Sequence, residues 1–179
     1  EALIARADVF VHNLGPGSVD RLGFGWSAVH ERWPRLISCS ISGYGMDGPY
    51  EKRKAYDLLL QGEAGVIAVA GSEESPAKVG ISIGDIGAAM YGLSSIMAAL
   101  IERGRTGQGR RLQIAMQDAM IHYMRTCFAN QARTGKPAPR RGGKTPGGNN
   151  APSGLYQCRP FGPNDWCYIT TSRGNPEHW

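Results

Sequence analysis

The sequence predicts an α/β fold with a parallel sheet, followed by a linker and the start of a smaller α+β domain. Residues 7–12 and 36–42 are short apolar runs separated by helical patterns, as in a parallel strand–helix–strand unit. Residues 111–117 alternate, with Leu112, Ile114 and Met116 on one face, which indicates a half-buried strand. In parallel units ligands bind beyond the carboxyl ends of the strands, so we expect the site there.

Composition narrows the class of protein. The chain has 179 residues, 41% hydrophobic and 20% charged, which is typical of one globular domain. No apolar run approaches the roughly 18–20 residues of a membrane span, and we expect no signal peptide. The four cysteines and four histidines lack metal-type spacing, so we expect no metal site and reduced thiols in a cytoplasmic protein.

Positive charge is concentrated late in the chain. The net charge is +5, and no acidic residue lies between Asp118 and Asp165. Such a block attracts anions, whether nucleic acid, a phosphorylated cofactor or a carboxylate, or it is a solvated basic loop. Aromatic residues are not interleaved with the cations, which argues against nucleic acid.

A long helix is predicted from Asp85 to Arg103, ended by Gly104, after an extended run at 78–84. Its large apolar residues recur at helical spacing and predict one buried stripe: Ile86, Ala89, Met90, Leu93, Met97, Leu100 and Ile101. A second stripe is small and would let another backbone approach: Ala88, Gly92, Ser95 and Ala99.

Asp85, at the entrance to this helix, has two interpretations. Its carboxylate could accept the unpaired amides of the first turn and stabilise the helix start. Alternatively it is a nucleophile that attacks an activated acyl carbon, with Gly84 and Gly87 leaving room for a bulky substrate. Local sequence leaves both open.

The remaining elements follow from turn and capping signals. Helices are predicted at 18–22, 27–33 and 57–64, the last capped by Asp57, and another begins with Asp118 as its cap. Residues 136–152 have no hydrophobic period and are typical of a lid or binding loop. Residues 154–158 and 166–170 predict a hairpin, and both chain ends look like cut helices, so we expect a fragment of a longer protein.

Taken in order, several segments resemble the class III CoA-transferases (CaiB/BaiF type), a family that also contains the α-methylacyl-CoA racemases. The segments are ADVFVHNLGPGSVDRLG at 7–23, SGYGMDGP at 42–49, AYD at 55–57, GDIG at 84–87, and GQG at 107–109 running into 113–118. The resemblance implies a Rossmann-like large domain at 1–117, a helix and linker at 118–152, and the start of a small domain at 153–179. It also implies an interlocked homodimer.

The resemblance further implies roles for individual residues. Asp85 would form aspartyl anhydride and aspartyl-CoA thioester intermediates. Coenzyme A, as a substrate and with no permanently bound cofactor, would be held by Asn13, Leu14, Gly15, Arg21, Arg53, Lys54, Ala55 and Tyr56. A mobile loop over the intermediates would comprise Gly147, Gly148, Asn149, Asn150 and Ala151. Asn149 and Asn150 stand where close relatives carry glycine, which leaves the acceptor acid open.

Tyr56 separates the two branches of the family. The racemases have a histidine there as an acid–base partner, and a tyrosine with its ordinary pKa near 10 suits proton transfer poorly. We therefore expect a transferase acting on an acyl-CoA and a small carboxylic acid, with a racemase-type isomerase or a basic non-enzymatic binding module as alternatives. Neither nucleic acid nor a membrane is an expected partner.

Overall fold

The computed structural model of the chain describes residues 1–144 and 152–170. After a single 3-10 turn at Ile4–Arg6, its elements are β1 (Val9–His12), α1 (Ser18–Arg21), α2 (Trp26–Arg32), β2 (Ile37–Ser42), α3 (Asp57–Glu63), α4 (Val66–Val69), α5 (Ile83–Thr106), β3 (Arg111–Ala115), α6 (Met116–Tyr123), α7 (Arg125–Thr134), β4 (Gly154–Gln157) and β5 (Trp166–Ile169).

Three of these strands form a parallel sheet in the order β1-β2-β3. Val9 lies opposite Ile37 and Ser42 opposite Ala115, so all three strands end at one edge. Helices α1 and α2 cross over between β1 and β2, which confirms the predicted strand–helix–strand unit. The predicted hairpin is also confirmed, since β4 and β5 pair antiparallel.

The core lies at the carboxyl edge of the sheet, among α3, α5 and α6. Leu60 of α3 and Met120 of α6 are completely buried, and Ala88 of α5 is 1% exposed. Truncating a buried side chain of this size to alanine costs about 2–5 kcal/mol. The packing therefore fixes the first turns of α5 between two other helices.

Helix α5 faces the sheet with its small side, contrary to prediction. Ala88 and Ala99 are buried, and a Cβ added at Gly92 would lie 3.8 Å from Cys39 Sγ. The large apolar residues are instead exposed, from 37% at Leu100 to 70% at Ile101. Small residues let the helix lie close over β2 and β3, and this turns the larger stripe outward.

Two predicted helix boundaries are wrong. Gly104 lies inside α5, which ends at Thr106. Gly107 caps it, since its positive φ of 74° suits glycine and its amide bonds Arg103 O. Asp118 does not cap α6, because that helix begins at Met116, directly after β3. Asp118 lies exposed in the first turn.

Within residues 1–144 and 152–170, α5 is the one helix long and apolar enough, by length and composition, to cross a membrane. The expectation that no run approaches that length is therefore wrong. One face of α5 nevertheless packs on a parallel sheet through Ala88, Gly92 and Ala99, the arrangement of a helix that covers a sheet.

Candidate active site

Asp85 lies in the first turn of α5, at the carboxyl edge of the sheet. Gly92, two turns later, faces Cys39 and Ile41 of β2, so the start of the helix projects toward the strand ends. Asp85 is an exposed residue. A carboxylate placed there is accessible to a ligand, as the nucleophile hypothesis requires.

The first-turn amides of α5 are capped by a different residue, Asp57. Its Oδ1 accepts the Gly84 amide at 2.7 Å and the Asp85 amide at 3.4 Å. The prediction that Asp57 caps its own helix is wrong, since α3 has no side-chain cap and Tyr56 occupies its N-cap position. The capping interpretation of Asp85 is not what the structure shows.

Asp57 is itself held by a buried amide. Gln61, 1% exposed, donates to Asp57 Oδ2 at 2.6 Å. The same Gln61 accepts the Val79 amide at 2.9 Å and donates to Ile81 O at 3.3 Å. One side chain therefore ties α3 to the segment that leads into α5.

The glycines beside Asp85 make room for protein, not substrate. A Cβ at Gly84 would lie 2.0 Å from Met120 Cε and 3.0 Å from Asp57 Oδ1. A Cβ at Gly87 would lie 2.7 Å from the Tyr123 hydroxyl. The prediction that these glycines leave space for a substrate is wrong, because α6 and Asp57 occupy that space.

The surroundings of Asp85 make its carboxylate more basic than usual. Partial burial raises the pKa of its carboxyl, and the neighbouring Asp57 carboxylate raises the pKa further. Within residues 1–144 and 152–170, no hydrogen bond or ion pair joins the Asp85 carboxylate to another side chain. A more basic, unpaired carboxylate is a better nucleophile than one neutralised by a cation.

The loop after β1 carries three of the residues predicted to bind coenzyme A, and α1 carries a fourth. Asn13, Leu14 and Gly15 are all exposed at the carboxyl edge of the sheet. Arg21 in α1 is exposed and donates to Ser18 Oγ at 2.8 Å. No hydrogen bond between described residues connects this loop to Asp85, so the structure brings them to one edge but not into contact.

Residues 53–56 lie nearer to Asp85. Ala55 packs on Gly43 at the end of β2, where an added Cβ would approach to 2.4 Å. The Arg53 guanidinium lies 3.9 Å from the centre of the Tyr50 ring, and Lys54 is exposed. Tyr56 is 75% exposed and directly precedes Asp57, so it stands close to the start of α5.

The predicted substrate loop, Gly147 to Ala151, lies outside the described residues. The basic linker that precedes it is partly engaged within the chain. Arg140 donates to Ala68 O at 3.2 Å, and Lys144 pairs with Glu73 at 2.9 Å.

Two cavities of about 540 and 240 Å³ lie away from Asp85. Glu102, Thr106 and Arg111 line the larger one, which places it at the amino edge of the sheet, beside the end of α5. We do not assign the reaction to it, because ligands of parallel sheets bind at the carboxyl edge.

Sequence reasoning did not identify Asp57 as a site residue. An acidic residue just before an apolar helix is a local capping signal, and that interpretation was reasonable. Its true partners are amides 27 and 28 residues away. Nothing in the local pattern points to them.

Comparison with known proteins identifies a family profile and several similar sequences. The profile described as CoA-transferase family III matches residues 1–179. The formyl-CoA:oxalate CoA-transferases of Streptomyces avermitilis and Streptomyces coelicolor are 38% and 39% identical to the chain over 181 residues. Each alignment covers 93% of this chain but only 44% and 43% of the respective relative.

A solved structure has a similar fold. The crystal structure of a CAIB/BAIF family protein from Brucella suis superposes with a TM-score of 0.80 at 35% sequence identity. The match covers 86% of this chain and 40% of that protein. The chain therefore spans less than half the length of the relatives it matches.

Proposed function

The chain belongs to CoA-transferase family III, and from this premise we propose that the protein is an acyl-CoA:carboxylate CoA-transferase with Asp85 as its nucleophile. One observation carries the proposal. The Asp85 carboxylate is exposed at the carboxyl edge of the sheet, while another residue binds the amides that it would otherwise cap.

The reaction begins when an Asp85 oxygen attacks the thioester carbonyl of an acyl-CoA. The C–S bond breaks, CoA leaves as thiolate, and the acyl group becomes a mixed anhydride with Asp85. The thiolate then attacks the aspartyl carbonyl, which releases the donor acid as a carboxylate and forms an aspartyl-CoA thioester.

The second half repeats these steps in reverse with the acceptor acid. The acceptor carboxylate attacks the aspartyl thioester, forms a new anhydride and releases the thiolate. The thiolate attacks the acceptor carbonyl, which yields the new acyl-CoA and restores Asp85. Each step exchanges one activated carbonyl for another, so the chain's own carboxylate suffices and no permanently bound cofactor is needed.

Coenzyme A would lie along the exposed carboxyl edge. Arg21 and Arg53 offer guanidinium groups, which suit phosphate oxygens, and Asn13, Leu14 and Gly15 are exposed beside the strand ends. Lys54, Ala55 and Tyr56 precede Asp57 and would flank the thiol end. The Gly147–Ala151 segment would close over the intermediates.

The relatives named formyl-CoA:oxalate CoA-transferase indicate which substrates to test first. Formyl-CoA is the first donor and oxalate the first acceptor, followed by other small carboxylic acids. Location in the cytoplasm, where CoA esters are made and used, remains part of the proposal.

The decisive experiment traps the intermediate. The complete gene product is incubated with an acyl-CoA, quenched with hydroxylamine, and digested for mass spectrometry. Conversion of Asp85 to its hydroxamate is expected. An unmodified Asp85, together with normal turnover by Asp85→Ala, would refute the assignment.

Two alternatives receive less support. A racemase would need an acid–base group at Tyr56, and solvent deuterium at the α-carbon of a 2-methylacyl-CoA would reveal it. A basic binding module would need available cations, yet Arg140 and Lys144 contact Ala68 and Glu73. Salt-sensitive nucleic-acid binding undiminished by CoA would favour that module.

The proposal includes an interlocked homodimer. The exposed stripe of α5 supports it, because Met90, Leu93 and Met97 are each more than half exposed, and a continuous apolar face is normally covered. Leu93→Lys with Met97→Lys should shift the protein from dimer to monomer in sedimentation. An unchanged dimer would place the interface elsewhere.

A further inference from the structure

The amides in the first turn of α5 have hydrogen-bond acceptors outside the helix. The Ile83 amide bonds Ile81 O at 2.9 Å, and the Ile86 amide bonds Ser82 O at 3.0 Å. The two amides between them, those of Gly84 and Asp85, both point to Asp57 Oδ1. The Ile86 bond is the first within the helix, and the three amides before it, those of Ile83, Gly84 and Asp85, each have an acceptor outside the helix.

An aspartate in the first turn ordinarily bends back onto such amides. Asp85 does not, since its carboxylate bonds no group among the described residues. The amides within its reach are already taken by Asp57. The helix start is therefore stabilised without use of the Asp85 side chain.

Hydrogen bonds and close packing fix the position of the Asp57 carboxylate. Its second oxygen accepts from Gln61, which is buried and also bonds Val79 and Ile81. Gly84 contributes by lacking a side chain, because a Cβ there would lie 3.0 Å from Asp57 Oδ1. The approach of Asp57 to α5 thus depends on groups from three segments.

We propose that Asp57 is a positioning residue, which occupies the first-turn amides of α5 and so keeps the Asp85 carboxylate available to the acyl group. This inference rests on the proposed function for its catalytic consequence. Without Asp57, the Gly84 and Asp85 amides would capture the Asp85 carboxylate. An attacking oxygen that is held in two hydrogen bonds is a weaker nucleophile and is turned away from the substrate.

The test compares three variants of the complete gene product. Asp57→Ala removes the acceptor, whereas Asp57→Asn keeps one acceptor oxygen but gives up the bond from Gln61. Asp118→Ala is the matched control, since Asp118 is also an exposed acidic residue in the first turn of a neighbouring helix. Folding of each variant is checked by circular dichroism and thermal melting.

We expect Asp57→Ala to lower kcat by about tenfold or more while KM for the acyl-CoA stays within about threefold. Asp57→Asn should retain kcat to within about fivefold and Asp118→Ala to within about twofold. Normal kcat in Asp57→Ala would overturn the proposal. If Asp57→Ala does not fold, a folded Asp57→Asn with a loss beyond about tenfold would overturn it.

A second readout does not need turnover. A water-soluble carbodiimide with an amine modifies available carboxyl groups, and the rate at Asp85 is followed by mass spectrometry. This rate should fall by about threefold or more in Asp57→Ala relative to the unmodified protein, because hydrogen bonding lowers carboxylate nucleophilicity. An equal or faster rate would overturn the proposal. Failure of the hydroxylamine trap with this contrast intact would instead refute only the transferase assignment.

Discussion

The charged side chains at the two edges of the parallel sheet differ in whether they have partners within the chain. At the amino edge, Arg103 is only 12% exposed and bonds the carbonyls of Asp8 and Arg35 as well as the Asp8 carboxylate. Glu102 and Arg110 pair beside it. At the carboxyl edge, the Asp85 carboxylate has no partner among the described residues. Charges at the amino edge hold elements together, whereas the carboxyl edge has both Asp57, which joins α3 to α5, and an Asp85 carboxylate that is available to a ligand.

The largest expected effect comes from removing the unpaired charge. Asp85→Asn keeps the size of the side chain but cannot form an anhydride. We expect kcat for transfer from an acyl-CoA to fall by about a thousandfold or more. Steady-state assay by separation of the CoA esters measures the loss, and Glu102→Gln at the opposite edge is the control. Comparable losses in both variants would abolish the distinction between the edges.

Removing the Arg103 guanidinium should lower the stability of the protein and leave its activity unchanged. Arg103→Met keeps much of the stem but leaves two carbonyl groups and the Asp8 carboxylate without their donor. The free energy of unfolding should fall by about 2 kcal/mol, while kcat stays near its original value. Urea unfolding measures the first quantity. Arg105→Met, an exposed neighbour, should change neither, and a selective loss of kcat in Arg103→Met would contradict this assignment.

Acid should inactivate the enzyme at a higher pH than an ordinary aspartate would dictate. Burial and Asp57 both raise the pKa of Asp85, so its carboxylate is protonated at a higher pH than an ordinary aspartate, whose pKa is about 3.9. Asp57→Asn removes the second cause and should move the acid limb of kcat/KM to lower pH. The pH–rate profile in single-turnover conditions checks the direction, and a shift to higher pH would be the wrong sign.

The raised pKa of Asp85 also makes the free energy of unfolding depend on pH. Because the folded-state pKa lies above the unfolded one, the contribution of Asp85 to folding is fully present below the unfolded pKa and is lost as pH rises through the folded value.

The smallest effect is expected at an exposed ion pair. Lys144 lowers the pKa of Glu73 through a hydrogen bond and its charge, but both side chains are more than half exposed. Glu73→Gln should produce no measurable change in unfolding at physiological salt, because exposed pairs contribute little. Thermal melting at two salt concentrations tests this, and a clear drop in melting temperature would show that the pair stabilises the linker.

Much of the architecture could be predicted because it depends on local patterns. The alternation at Leu112 and Ile114 places β3, although Met116 begins α6 instead of extending the strand, and the apolar runs place β1 and β2. The sequence also predicts the long helix that contains Asp85, but it does not predict which face of that helix is buried. Periodicity finds two faces of a helix but not which one meets the sheet, and here the close approach of Gly92 to Cys39 selects the small one.

The sequence by itself determined the alternation of strands and helices, the family, and the position of Asp85 at the start of a long helix. Only the tertiary structure decided that Asp57 caps that helix, that Gly84 and Gly87 accommodate Met120 and Tyr123, and that Asp85 is left unpaired. The reason is physical. Propensity and periodicity act over one or two turns, whereas the hydrogen-bond partners of a helix terminus come from any segment that packing brings within 3 Å or so.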